Sequence, residues 1–378
     1  MKAEIVESAE QLQAVNTYAE FQRREGIPVL RGFAIDDLDT VELGHWRRTG
    51  GRGTFIDLDG TGGTNGAYVC EIAPGRSLEP ERHLYEETVY VLSGNGTASV
   101  WYDGGEPVSF EWGPGSLFAI PLNAWHRLHN VAGTRPARFL AVTSAPLVMN
   151  LFHDADFVFD APLAFPDRFG GEPTYFNAKG TLYSGRILET NFVPDVRALE
   201  LYRNPARGTG KGVRFELASN TTHAHVAEFP VGTYKKAHFH GPGAHVVLLR
   251  GTGFSLLWPR GGTPTRSDWK PGSMFVPPQG WFHQHFNTGA EPARYLALRW
   301  GSVKWDLGGA LGWTTGHSYD VEGAQIEYAD EDPEIHRAYE AELSLSGATC
   351  RMRSVIAQCT GIRGEDAVDP RTGLRAQA

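Results

Sequence analysis

The sequence has few cysteines, no block of basic residues and no long apolar run. Its three cysteines, Cys70, Cys350 and Cys359, are widely spaced and odd in number, which implies neither a disulfide framework nor a CxxC zinc knuckle. The net charge is −9, which argues against nucleic acid or an anionic membrane as a partner. No run of about 18 apolar residues exists to span a bilayer. The N-terminus does not resemble a signal peptide, so we expect a cytoplasmic protein.

Glycine and proline are abundant, with 45 and 23 residues respectively. Together with 41% hydrophobic and 21% charged residues, they indicate a folded protein with many tight turns, which is typical of an all-β architecture. Single hydrophobic cores usually stop growing near ~250 to 300 residues. The 378 residues therefore predict two domains.

Two helices are predicted outside the β-rich regions. Ser8 and Gln11 form a capping box and Gly26 provides the stop for an N-terminal helix. Asp332 as N-cap, followed by Pro333, begins a C-terminal helix that we expect to serve packing or a subunit contact. The polar residues after Arg363 predict a frayed end.

Two segments of the chain repeat at a constant shift of 157 residues, which takes His126 to His283 and Asn130 to Asn287. Each copy contains short runs of β-branched and aromatic residues that end at Gly, Pro or Asp, which predicts a small barrel or jelly roll per copy. The same shift relates further pairs: Gly75 and Gly232, His83 and His240, Gly94 and Gly251, Gly115 and Gly272, Pro121 and Pro278.

The repeat divides the chain into five parts. We predict an N-terminal helix and arm over residues 1–50, a first barrel over 51–150, a connection over 151–210, a second barrel over 211–305 and a C-terminal extension with a helix over 306–378. Open jelly-roll edges are commonly covered by a neighbouring subunit, so we also expect a homo-oligomer.

Three histidines of the second copy predict a metal site. His238 and His240 are two residues apart, which places them on one face of a strand. His283 comes from a later strand pair and is the repeat counterpart of His126. Three converging imidazoles would form a facial site for a first-row divalent metal with open positions. Histidines that merely cap strands are the structural alternative, which fits one histidine better than three.

These residues resemble the cupin superfamily. Its first motif is glycine, five residues, His-x-His, three or four residues, Glu, six residues and glycine; its second is glycine, five residues, Pro-x-Gly, two residues, His, three residues and Asn. The second copy matches at Gly232, His238, His240, Gly251, Gly272, Pro278, Gly280, His283 and Asn287. The resemblance implies a bicupin: two tandem cupin (double-stranded β-helix, jelly-roll) barrels with a few flanking helices.

The first copy matches the same motifs less completely. Glu81 replaces the leading histidine and Asn123 stands in a glycine place. The set Glu81, His83, Glu87 and His126 either holds a second metal, since carboxylates suit harder ions such as Mn, or is a vestigial site closed by a salt bridge with Arg82 or a pocket arginine.

The second copy departs from the family at the glutamate ligand, whose place falls on Ala244. His245 follows it and should face away from His238 and His240, unless a bulge at the preceding "GPG" turns it inward as an extra ligand. His285 is a candidate outer partner for a ligating histidine. The pair His223 and His225 predicts a strand with one histidine facing the pocket.

The missing glutamate bears on the reaction. A metal held by three neutral imidazoles keeps its full charge and favours an anionic, chelating substrate. The arrangement resembles gentisate and salicylate-type ring-cleaving dioxygenases, which hold the working iron in the N-terminal barrel, whereas here the intact histidine set is C-terminal. The resemblance implies an Fe(II) dioxygenase that uses O₂ to cleave a C–C bond of an aromatic hydroxy-carboxylate or related oxygenated small molecule.

Two alternatives stay open. A redox-neutral decarboxylase or isomerase with Mn or Ni is one, although bicupin decarboxylases usually keep the glutamate in both barrels. A non-catalytic ligand-binding bicupin is the other. Three residues are candidates to contact the substrate. Lys236 would point to the same side of a regular strand as His238 and His240, Arg299 lies on a late strand, and Trp281 is close to His283 in the sequence. Lys236 and Arg299 are candidates to bind a substrate carboxylate, and Trp281 is a candidate to form a wall of the pocket. The simpler interpretation is that Lys236 is a surface residue, Arg299 is structural and Trp281 belongs to the core.

Overall fold

The computed structural model of the chain describes residues 14–184, 186–241, 243–305 and 323–361. Within these residues the fold is mostly β, with 23 strands and four α-helices. None of these helices is long and apolar enough to cross a membrane.

The first half of the chain contains most of the helices and the strands of the first barrel. Its helices are α1 (Thr17–Glu25), α2 (Ala145–Phe152) and α3 (Ala155–Asp160). Its strands are β1 (Val29–Gly32), β2 (Ala34–Ile35), β3 (Gly44–Trp46), β4 (Gly51–Leu58), β5 (Gly66–Ile72), β6 (Glu87–Ser93), β7 (Gly96–Trp101), β8 (Val108–Trp112), β9 (Leu117–Ile120), β10 (Trp125–Asn130) and β11 (Ala137–Thr143).

The second half repeats this pattern and ends with one helix, α4 (Pro333–Leu345). Its strands are β12 (Gly180–Tyr183), β13 (Ile187–Thr190), β14 (Phe192–Val193), β15 (Tyr202–Arg203), β16 (Lys211–Leu217), β17 (Thr222–Phe229), β18 (His245–Arg250), β19 (Gly253–Trp258), β20 (Thr265–Trp269), β21 (Met274–Phe275), β22 (Phe282–Asn287) and β23 (Ala293–Trp300).

Each half forms a large and a small sheet. In the first half the order is β1-β4-β5-β11-β6-β9-β14, with β3 on β4, and the small sheet is β10-β7-β8. In the second half the order is β12-β13-β16-β17-β23-β18-β21-β2, with β15 on β16, and the small sheet is β20-β19-β22. The fold is therefore two cupin jelly-roll domains, as the repeat predicts.

The repeat is visible in the turns that join equivalent strands. Gly94 and Gly251 both have a φ of 83°, and a Cβ on either would lie 2.5 to 2.7 Å from the backbone or side chain of Ala137 or Ala293. Only glycine fits such a left-handed, crowded position without strain. The glycine is therefore required twice, once per barrel.

The barrels exchange short strands and share a core. The N-terminal arm places β2 on β21 of the second barrel, and the connection places β14 on β9 of the first. Between the two large sheets lies an apolar cluster in which Leu140, Phe215 and Leu298 are almost fully buried. Burying a side chain of this size contributes about 1.5–3 kcal/mol.

The two terminal helices follow the predictions in part. The predicted capping box at Ser8 lies outside the described residues, and the helix observed begins only after Asn16, whose side chain caps the amide of Ala19. The prediction of one helix that continues to Gly26 is thus wrong for residues 14–16, which are not helical, because Asn16 is an N-cap. Its end at Gly26 is confirmed. The C-terminal helix begins as predicted, with Asp332 capping the amide of Glu334.

Candidate metal centre

Three histidines of the second barrel meet in one place. His238, His240 and His283 offer ring nitrogens that lie within 4.8 Å of one another. The centroid of the His283 ring lies 4.3 Å from that of His238 and 4.7 Å from that of His240. All three side chains are buried. The structure brings together the trio that the sequence predicts.

A two-way backbone bridge fixes the trio. His283 lies on β22, and its amide and carbonyl pair with those of His238 at 2.8 and 3.1 Å. His240 follows two residues later, before β18 begins. The first two histidines therefore sit in a segment that touches β22 at single bridges instead of in a regular strand.

The histidine rings are oriented by backbone carbonyls. His238 Nδ1 lies 3.0 Å from the carbonyl oxygen of Lys236, and His283 Nδ1 lies 3.3 Å from that of Trp281. A proton on Nδ1 satisfies these contacts and leaves the Nε2 lone pair for a metal. Burial lowers the pKa of His283 to about 3, so the ring is neutral, as a ligand must be.

His285, the candidate outer partner, lies beside the trio without an observed hydrogen bond to its rings. Its Nδ1 pairs with the Ser255 hydroxyl at 2.8 Å, and the carbonyls of Lys236 and Trp281 provide the outer contacts of His238 and His283 instead. His285 lines the pocket beside the trio.

No carboxylate joins the trio among the residues described. Ala244, in the place of the family's glutamate, lines the pocket, so nothing there compensates for the missing ligand. Three neutral imidazoles on one side of a cavity fit a first-row divalent ion with several positions left open.

His245 is not brought to the trio, which corrects its candidacy as an extra ligand. It is fully buried at the start of β18 and shares a strand face with Val247, which packs in the core between the barrels. His245 follows Ala244, which lines the pocket, so it faces the opposite side of the strand in regular alternation. Neither ring nitrogen has a hydrogen-bond partner in the described structure.

The pocket beside the trio is lined by cations. Arg207, Arg214, Lys235 and Arg299 reach it, and no aspartate or glutamate of the described chain does. Arg299 is only 4% exposed, and its Nε and Nη1 lack hydrogen-bond partners in the described structure. Burial lowers the pKa of Arg299 to about 9. The cavity measures about 70 Å³, and it is chemically a site for a small anion.

Lys235, and not the predicted Lys236, lines this pocket. Tyr234 pairs with Phe286 through the backbone, and His238 pairs with His283. The two pairs are four residues apart on the first segment but only three residues apart on β22. This extra residue is a bulge, which reverses the strand parity on which the prediction of Lys236 depended. Lys236 instead pairs with Glu327 at 2.5 Å.

Arg299 is where the sequence predicts it, but Trp281 does not line the pocket. The aromatic wall is Tyr295, which lies on β23 with Arg299. Tyr295, Ala297 and Arg299 are every second residue of this strand, and all three face the cavity. Strand parity counted from Arg299 would have found Tyr295. His225 on β17 also lines the cavity, as expected for one member of the His223 and His225 pair.

The first barrel contains a second cluster of potential metal ligands. His83 Nε2 lies 3.0 Å from Glu87 Oε2, and the ligand atoms of His83, Glu87 and His126 lie within 4.8 Å of one another. Glu81 is not part of this group. The cavity beside the cluster is about 10 Å³, roughly the room for one water molecule.

Arg48 from the N-terminal arm contacts Glu81 beside this cluster. Its guanidinium contacts Glu81, pairs with Glu25 at 3.0 Å and lies over the ring of Phe159. The predicted partner Arg82 instead pairs with Asp103 at 2.8 Å. Arg82 immediately follows Glu81, whereas Arg48 comes from a separate segment, so local sequence gave no signal for it.

Comparisons with known proteins agree with a cupin fold in the first barrel. Residues 68–143 match the family model described as "Cupin domain". No curated protein matches the sequence. Similar solved structures include the oxalate decarboxylase of Bacillus subtilis at pH 4.6, with 14% identity, a TM-score of 0.49 and coverage of 71% of this chain and 76% of that one. A point mutant of the same enzyme has 13% identity, a TM-score of 0.48 and coverage of 71% and 77%.

Proposed function

We propose that this bicupin is a metal-dependent enzyme whose working centre is the trio of the second barrel, and that it acts on a small carboxylate. In its finer form, we propose Fe(II)-dependent, O₂-consuming cleavage of a C–C bond in a hydroxy-carboxylate. One observation carries the proposal: three neutral imidazoles face a cationic pocket to which no described carboxylate contributes. Iron(II) held there would supply the electron that activates O₂ and a Lewis acid for the substrate.

The charge of the pocket supports an anionic substrate. Arg207, Arg214, Lys235 and Arg299 surround the cavity, and a divalent ion would add two more positive charges. A carboxylate that enters the pocket is attracted by these positive charges, so it binds there more strongly than a neutral analogue of the same shape.

Arg299 is the side chain best placed to receive the carboxylate. Its guanidinium is buried and has donors without partners among the described residues, and the planar fork of arginine matches a carboxylate with two parallel hydrogen bonds. Lys235 donates from Nζ to the Tyr295 hydroxyl at 2.8 Å. This contact orients the Tyr295 hydroxyl and adds a second positive charge beside the substrate.

A redox-neutral Mn or Ni enzyme, such as a decarboxylase, is the second candidate, and Lys235 favours it. Burial and the charge of Arg207 lower the pKa of Lys235 to about 7. A group that exchanges its proton near neutral pH can protonate the carbanion that remains after CO₂ leaves. This reaction would use the same trio and the same substrate class, but it would consume no O₂.

The test combines metal analysis with two product assays. Wild type, His240→Ala and His45→Ala, an exposed histidine outside both clusters, are reconstituted anaerobically and assayed for O₂ uptake and CO₂ release with hydroxybenzoates and small dicarboxylates. We expect iron and O₂ uptake in the wild type and the control, and loss of both in His240→Ala. Manganese or nickel with CO₂ release and no O₂ uptake would select the second candidate. No metal at the trio after reconstitution would contradict both.

A further inference from the structure

A third cluster of metal-ligating side chains lies in the C-terminal extension, away from both barrels' sites. His336, Glu340, Cys350 and Cys359 are 0%, 8%, 4% and 5% exposed, and their ligand atoms all lie within 4.8 Å of one another. None of the four lines the cationic pocket. The cluster therefore needs an explanation of its own.

Helix α4 and the segment after it bring the four residues together. His336 and Glu340 are four residues apart on α4, so they project from the same face. The chain then turns back, and Cys350 and Cys359 approach that face. The returning segment is held to the second barrel, where the Arg351 amide donates to the Gly232 carbonyl at 2.8 Å.

The spacing of the ligand atoms matches a tetrahedral metal site. Cys359 Sγ lies 3.4 Å from both Cys350 Sγ and Glu340 Oε1, and His336 Nε2 lies 3.4 Å from Glu340 Oε1. Bonds of about 2.0–2.3 Å to a central zinc place tetrahedral ligands about 3.3–3.8 Å apart. A disulfide would require about 2.05 Å between the sulfurs, and both cysteines are free.

The orientation of His336 is a second, independent observation. Its Nδ1 lies 3.1 Å from the Tyr234 hydroxyl, which is a partner for the Nδ1 proton. Its Nε2 is buried and makes no hydrogen bond in the described structure, although it faces Glu340. A buried nitrogen left with a free lone pair is costly unless it has a partner such as a metal.

Glu340 is oriented from outside the cluster. Its carboxylate accepts hydrogen bonds from the amides of Thr360 and Gly361, at 2.9 and 3.1 Å, and from the Thr360 hydroxyl. Ligating carboxylates commonly have such outer partners. These contacts also tie the end of the described chain to α4.

We propose that His336, Glu340, Cys350 and Cys359 bind a structural zinc ion that fastens the C-terminal extension to the second barrel. Binding displaces the two thiol protons to solvent, so that two thiolates and one carboxylate surround Zn²⁺. Four protein ligands leave no open position, which is the mark of a structural site. The apolar cluster beside it includes Tyr234, Phe286 and Tyr339. Phe286 lies on β22, the strand that carries His283. The zinc ion therefore stabilises the packing against the strand that holds one histidine of the trio.

The experiment separates the two metal centres by variants of the full chain. The protein is reduced, loaded with zinc, freed of excess metal and analysed in a background that combines His240→Ala and His126→Ala, which disables both the trio and the first-barrel cluster. We expect about one zinc per chain there. Adding Cys350→Ser or Cys359→Ser should abolish it, whereas Cys70→Ser, a buried cysteine of the first barrel, should leave it unchanged.

Cobalt gives a spectroscopic signature that a merely structural role of the cysteines would not produce. Cobalt(II) in the His240→Ala protein should show a thiolate-to-metal charge-transfer band in the near ultraviolet, and this band should disappear in the Cys350→Ser variant. The histidine trio has no thiolate and cannot give the band.

A measurement on the unmutated chain keeps the proposal testable even where a cysteine variant does not fold. Stepwise titration of the wild-type thiols with a mercurial should release zinc in step with modification of two cysteines. Three results would overturn the proposal: no zinc in the loaded protein that carries His240→Ala and His126→Ala, zinc that stays when a cysteine variant is added to this background and folds, or a Cys350–Cys359 disulfide in peptides mapped without reduction.

Discussion

The Lys235 ammonium donates a hydrogen bond to the Tyr295 hydroxyl at 2.8 Å inside the second-barrel pocket. Lys235 is there because of the bulge between Tyr234 and His238, and Tyr295 is there because of its parity with Arg299 on β23. When the Lys235 ammonium loses a proton, the pocket loses one positive charge. The pair is also the part of the site whose behaviour depends most directly on pH.

Binding of a carboxylate should weaken as the pH rises through about 7. Burial, followed by the charge of Arg207, lowers the pKa of Lys235 to about 7, so the lysine is charged below this pH and neutral above it. Calorimetry with a small dicarboxylate from pH 6 to 9 should show this loss in the wild type and a flatter profile in Lys235→Met. Equal profiles for the two proteins would contradict the assignment of this pKa.

The same shift predicts a change in stability with the opposite sign. The folded-state pKa lies below the unfolded value of about 10.4, so the unfolded chain binds more protons between these limits and stability rises with pH. The free energy of unfolding of the metal-free wild type, relative to Lys235→Met, should therefore increase from about pH 7 to pH 10. Urea titrations at several pH values measure it, and a decrease over this range would be inconsistent with a buried lysine.

Replacing Arg299 should remove substrate binding without removing the metal. In Arg299→Gln we expect the KM or Kd for a carboxylate to rise about 10- to 100-fold, since a hydrogen bond to a charged group is worth about 1.5–3 kcal/mol. Metal content should stay at the wild-type value. Arg203→Gln, at an exposed position on β15, is the matched control, and an equal loss there would remove the special role of Arg299.

His245→Leu should bind metal like the wild type. The ring is fully buried, and both of its nitrogens lack hydrogen-bond partners in the described structure. Because an unsatisfied buried polar group costs about 1–3 kcal/mol, the variant should be at least as stable as the wild type. Loss of metal in folded His245→Leu would restore this histidine as a ligand.

Removing Arg48 should destabilise the first barrel and leave the trio intact. In Arg48→Met the partly buried carboxylate of Glu81 loses its partner, which we expect to cost about 1–3 kcal/mol of unfolding free energy. Metal content of the second barrel should not change. Exposed Arg23→Met, on α1, serves as the control, and unchanged stability in Arg48→Met would show that this ion pair does not stabilise the first barrel.

The two barrels and the trio were predictable because their signals are local and occur twice. The shift of 157 residues needs no gap from Gly75 to Asn130, and His238, His240 and His283 stand at the histidine places of the motifs that the second copy resembles. That these three rings come together follows from their spacing in the sequence. The homo-oligomer and cytoplasmic location expected from the sequence stay predictions.

The features that sequence reasoning missed depend on tertiary geometry. Lys235 faces the pocket only because one extra residue precedes His238, which parity counting does not detect. Arg48 reaches Glu81 from a separate segment. Cys350 and Cys359 do not have the CxxC spacing of a zinc knuckle. Their cluster is completed by His336 and Glu340 on α4.

We propose that the trio, and not the first-barrel cluster, holds the working metal. Crystals of anaerobically iron-loaded protein, measured above and below the iron absorption edge, test it most directly. We predict an anomalous-difference peak about 2.0–2.2 Å from the Nε2 atoms of His238, His240 and His283. No peak there, or an iron peak only at His83, Glu87 and His126, would contradict the account.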